Sequence, residues 1–77
     1  MNKQRRKNLE EVAEKIAQVR EHLEAVRDEE QEAFDNMPES LQESDRGVSM
    51  EEAISNMEEV VSTLEELEST IDGIINP

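Results

Sequence analysis

Apolar side chains recur along this chain at a spacing of three and four residues, in two long runs. The first comprises Leu9, Val12, Ile16, Val19, Leu23, Val26, Ala33 and Met37, with Glu30 the one charged residue in the series. The second comprises Met50, Ala53, Met57, Val60, Leu64, Leu67, Ile71 and Ile74. A strand repeats every two residues, so a 3-4 alternation sustained this long predicts two α-helices with heptad seams at these positions. The second run is close to an internal repeat: MEEAISN (50–56), MEEVVST (57–63) and LEELEST (64–70) stack in register, and IDGIINP (71–77) closes the series. The position after every second seam residue adds Ile54, Val61 and Ile75, interrupted by Glu68. That stripe is wider than a two-stranded seam requires.

Between the runs lies MPESLQESDRGV (37–48). Pro38 lacks a backbone donor and restricts Met37, which predicts the end of the first helix there. Pro38 also suits the start of a short helical turn over 38–43, with Leu41 as its apolar anchor. Ser49 and Glu52 have the spacing of a capping box, and Val48 can staple onto Ala53, so the second helix is expected to begin at Ser49. The expected organisation is a single domain, 1–77, with a basic N-terminal arm (1–8), a helix (9–36), a loop (37–48) and a second helix (49–75). A connection this short returns the second helix along the first, giving an all-α fold: an antiparallel αα-hairpin with coiled-coil packing. Residues 1–8 are expected to project beyond the second helix or to fray. With the two seams facing each other, Ala13, Phe34, Ile54, Val61 and Ile75 would stay wet in a monomer. Domains this small rarely draw more than about 3–5 kcal/mol from their own core. Pairing into a four-helix or larger bundle would cover the remainder, so a homo-oligomer is expected, most simply a dimer.

Composition narrows the function. The chain has 77 residues, no Cys, Trp or Tyr, and Phe34 as its only aromatic residue. A disulfide framework, a thiolate metal site and an aromatic ligand pocket are thereby excluded. Its net charge of −13 argues against general nucleic-acid binding, which needs positive surface. The charge is unevenly spread: residues 1–8 hold Lys3, Arg5, Arg6 and Lys7 with no acid, while residues 47–77 hold eight acids and no Lys or Arg. An acidic second helix cannot form opposite-charge pairs within itself. It can meet Lys15, Arg20 and Arg27 of a neighbouring helix, the basic arm of another subunit, or a basic partner. Apolar runs are no longer than pairs, so a membrane span is not expected, and the chain reads as soluble and cytosolic.

No Ser-His-Asp set, phosphate-binding glycine loop or pocketed carboxylate pair can be assembled, and enzyme activity is not expected. Neither is a cofactor or a metal. His22 stands alone, without the Glu-x-x-His spacing of di-metal bundles, and DNMPESLQE (35–43) places Pro38 and Ser40 where a calcium loop needs a ligand and a glycine. The binding candidates are polar. The loop offers Asn36, Gln42, Asp45 and Arg46; Arg46 can clamp a phosphate or carboxylate, or cap the end of the first helix by a salt bridge. Glu30, charged at a seam position, can fix register or contact a polar ligand. Lys3, Arg5, Arg6 and Lys7 can touch a nucleic acid or an acidic protein, or simply offset the acidic body. The glutamate pairs at 51–52, 58–59 and 65–66 recur about every 10.5 Å, a sparse imitation of DNA with a charge every ~1.7 Å. An outer ridge of this kind otherwise serves solubility.

Residues 28–59, DEEQEAFDNMPESLQESDRGVSMEEAISNMEE, resemble a family of small acidic phage and prophage proteins. Their shared pattern is a charged helix ending in DN-x-P-E-[SN]-L-Q, a [DE]-R-G step and an E-E-A-rich helix. Asp35, Asn36, Pro38, Glu39, Ser40, Leu41, Gln42, Asp45, Arg46, Gly47, Glu51, Glu52 and Ala53 carry it here. The resemblance implies phage origin and a helical hairpin, but no settled activity. The function it suggests is a non-enzymatic accessory binding protein in the host cytosol. Such a protein would antagonise host defence by binding a host protein or sequestering a small charged signal. The alternatives are a scaffolding bundle whose only role is assembly, and a nucleic-acid accessory factor acting through the basic arm.

Overall fold

The computed structural model describes residues 1–77 and contains helices only: α1 (Lys3–Asp35), α2 (Glu39–Gln42) and α3 (Asp45–Ile75). The molecule measures 58 × 14 × 13 Å, and α3 runs back along α1. No helix is long and apolar enough to cross a membrane.

α1 starts earlier than its heptads require. Asn2 caps it, its Oδ1 accepting from the Arg5 N–H at 2.8 Å. The basic segment expected as an arm is therefore the first two turns of the helix. At the other end, the Asn36 N–H donates to the Glu32 carbonyl at 3.0 Å, and Pro38 stops the ladder. The turn after Pro38 is α2, a four-residue helix closed by the Leu41 and Gln42 N–H groups donating to the Pro38 carbonyl at 2.9 and 3.0 Å. Leu41, expected as its anchor, is half exposed. The tie to α1 is made instead by Gln42, whose Nε2 donates to the Phe34 carbonyl at 2.9 Å.

α3 begins at Asp45, not at Ser49. Ser44 is the cap: its Oγ accepts from the Gly47 N–H at 3.4 Å and donates to the Leu41 carbonyl. Asp45 in the first turn also complements the helix dipole. Ser49 and Glu52 lie within the helix, both exposed, and Val48 is half exposed, so the box and staple read from the sequence are not used. The earlier start places Gly47 inside the helix and buries it against α2. A Cβ there would sit 2.0 Å from the Gln42 carbonyl oxygen and 2.6 Å from that of Leu41, both backbone atoms. Only glycine lets the two helices meet this closely.

The seam between α1 and α3 is rotated from the one the heptads suggest. Ile54, Val61 and Ile75 are the buried apolar residues, at 6%, 7% and 9% exposure. Met50, Met57, Leu64, Glu68 and Ile71 join them at intermediate burial, as do Leu9, Ala13, Ile16, Arg20, Leu23, Arg27, Glu30 and Phe34 on α1. Thus Ala13, Phe34, Ile54, Val61 and Ile75, expected to stay wet, form part of the inner face. Of the aliphatics expected in the seam, Val12, Val19, Val26, Val60, Leu67 and Ile74 are exposed, between 42% and 57% accessible. The rotation has a physical cause. It brings the only aromatic residue inward, aligns the β-branched Ile54, Val61 and Ile75, and lets Arg20 and Glu68 meet across the seam.

The two glycines therefore predict opposite outcomes. Gly47→Ala should lose about 1–3 kcal/mol by overpacking against α2, whereas Gly73→Ala, with nothing within 4 Å of its added methyl, should gain about 0.5–1 kcal/mol from helix propensity. Chemical denaturation followed by circular dichroism reads both.

Candidate functional site

Three regions carry the candidate chemistry: the turn, the seam, and the outer surface with its basic end. At the turn, Asn36 is exposed at the end of α1, and Asp45 and Arg46 are exposed in the first turn of α3. Gln42 is half-buried and occupied by its bond to Phe34. Arg46 forms no ion pair, with the end of α1 or elsewhere. Asn36, Gln42, Asp45 and Arg46 thus share one end of the molecule, yet no surface depression includes any of them.

Along the seam, Arg20 is the principal electrostatic feature. Its Nε donates to Glu68 Oε2 at 2.6 Å, its Nη2 to Glu68 Oε1 at 3.4 Å, and its Nη1 to Glu24 Oε1 at 2.7 Å. The hydrogen bond to Glu68, then that to Glu24, holds the guanidinium pKa above its ordinary value, outweighing partial desolvation. The arginine itself stays charged in the folded and the unfolded chain at any ordinary pH, so its raised pKa adds no pH dependence of its own. Arg27 turns instead to Asp28 on its own helix at 2.8 Å, which raises its pKa likewise. Glu30 lies on the α1 seam, half-buried and without an ion pair. Of the three cations foreseen as partners of α3, Arg20 alone forms an ion pair with it.

The Arg20–Glu68 pair also fixes the register. Ile75, seven residues beyond Glu68, falls level with Ala13, seven residues before Arg20. The segment of α1 from Lys3 to Val12 therefore overhangs the end of α3 by about 15 Å, at 1.5 Å per residue. Lys3, Arg6 and Lys7 line one shallow depression there with Glu10. Arg5 faces another, with Met1, Asn8, Leu9 and Val12. The basic cluster and the turn residues consequently sit at opposite ends of a 58 Å rod.

Sequence reasoning placed the aliphatic face inside the helix pair, but it lies outside. Val12 and Ile74, Val19 and Leu67, and Val26 and Val60 form three rungs, each within two residues of the Arg20–Glu68 register. Part of this face is an open groove bridging both helices, lined by Val19, His22, Leu23, Val26, Val60 and Leu64. The signal that could have located it was the charge pattern. Choosing the stripe that lets Arg20 and Glu68 face each other leaves the valines outside. No group of three or more His, Cys, Asp or Glu side chains is arranged to hold a metal ion.

Removing one partner of the seam pair should cost more than removing both. Arg20→Ala or Glu68→Ala should lower the melting temperature by stranding the other charge, and Arg20→Leu with Glu68→Leu should restore it to the wild-type value or above. Thermal melts of the three variants decide this.

Comparison with known proteins supplies no relative: no family model, no curated protein and no solved structure matches this chain.

Proposed function

We propose that this chain is a non-enzymatic binding protein of the phage accessory kind, built as an antiparallel αα-hairpin with heptad packing that assembles into a bundle and antagonises a component of host defence. The observation that carries the reading is the bare aliphatic face. Six branched side chains on one side of a small, highly charged molecule stand about half exposed, and soluble monomers rarely leave such a contiguous stripe uncovered. The resemblance of residues 28–59 to small phage proteins supports the biological setting, which would be the host cytosol.

Within this reading, the partner is a host protein with a basic surface. The pairs Glu51-Glu52, Glu58-Glu59 and Glu65-Glu66 are exposed on α3, and the single cation that reaches this helix is spent on Glu68. Retention of a small charged signal by Arg46 has less support, because that side chain is solitary and borders no depression.

Phage challenge of bacterial strains, each carrying one defence system, tests the proposal. Plaquing should recover in at least one strain expressing the wild-type chain, persist with Arg46→Glu and vanish with Val60→Glu. Recovery in no strain would count against antagonism, and loss with Arg46→Glu would return the turn to the centre of the mechanism.

A further inference from the structure

The aliphatic face needs an occupant, and we infer that it is a second copy of this chain, packed head to tail so that the basic overhang of each copy lies on the acidic turn end of the other. The inference rests on the reading that this face drives assembly, and it adds the number and orientation of the copies, leaving the outer glutamates of α3 for the host protein.

Area is the first argument. The chain exposes 5765 Å², whereas a compact monomer of its mass exposes about 4,800 Å². The excess of about 1,000 Å² is close to the ~800 Å² that each partner contributes to a standard stable interface. Spacing is the second. The rungs Val12/Ile74, Val19/Leu67 and Val26/Val60 recur every seven residues, about 10.5 Å, with Val19/Leu67 central. A two-fold axis through the central rung lays the outer rungs of one copy on each other's counterparts in the second. All three rungs are then covered in a self-complementary contact.

Charge selects the direction. Arg5 continues the valine series one heptad before Val12, and Ala33 continues it one heptad after Val26. The head-to-tail arrangement brings Arg5 level with Ala33 of the second copy. Lys3, Arg6 and Lys7 then meet the region of the second copy's α1 bearing Glu29, Glu32 and Asp35, all exposed. A parallel pairing would instead stack four cations on four cations at one end and the acidic turns on each other at the other. Like-charge juxtaposition of that kind disfavours the alternative. The arrangement also gives the cations at the start of α1, misplaced for their own helix dipole, a compensating field.

The isolated chain is sufficient for the test, so failure here is separable from failure of the antagonist reading. The absence of cysteine allows a single spin label at Gln4→Cys. Sedimentation at micromolar concentration should give twice 8.8 kDa, and double electron–electron resonance should give a label separation of about 45 Å, against less than about 20 Å for parallel pairing. An 8.8 kDa particle, a larger assembly or the short distance would overturn the inference. Arg5→Glu with Arg6→Glu should weaken association about tenfold at low salt, a difference that fades as salt is raised. An unchanged affinity would remove the charge contact from the arrangement. Leu67→Glu should leave a helical monomer, with circular dichroism confirming that the helices persist; a dimer surviving that change would place the interface elsewhere.

Discussion

A helix packed against one neighbour can cover one stripe of its surface, and each long helix here carries more apolar surface than one stripe holds. The contest between stripes is decided at Arg20 and Glu68, charged residues that could not both face a bare apolar partner. Once they meet, the rotation of both helices is set: Ile54, Val61 and Ile75 turn inward, and the valines at 12, 19 and 26 turn out. An ion pair in a seam often adds little net stability, but it can decide between competing arrangements of similar apolar content. Register, overhang and outer face all follow from that one choice.

The turn imposes a second constraint of a different kind. Ser44 caps α3 while its hydroxyl holds the Leu41 carbonyl, Gln42 reaches back to Phe34, and Gly47 gives α2 room to lie directly on α3. These contacts join both long helices within nine residues and leave Asp45 and Arg46 on the outside. Side chains that looked like ligand donors in the sequence thus divide into structural ones, such as Gln42, and free ones, such as Arg46.

The helical class and the break at Pro38 were legible because heptad spacing and proline chemistry act locally. Helix starts were less so: Ser44 and Ser49 both offer capping side chains, and the choice depends on α2 being present to accept Gly47. The seam was misread for the same reason. Periodicity identifies a broad apolar stripe but cannot say which edge faces the neighbour, and the deciding contact joins residues 48 positions apart. The candidate site inherits that error, since the surface left exposed is whatever the seam does not use. Arg5 and its neighbours were visible as a cluster, but their place on an overhang required the register.

The distribution of amines has a practical consequence. Every lysine, Lys3, Lys7 and Lys15, lies in the first fifth of the chain, and α3 beyond Arg46 has none. Amine-directed immobilisation would hold a single chain by its basic tip and mask the cations there, whereas a head-to-tail pair offers amines at both ends of the rod. Trypsin, in turn, has no cleavage site after Arg46, so digestion releases nearly the whole of α3 as one peptide, a convenient mass tag for following this chain in mixtures.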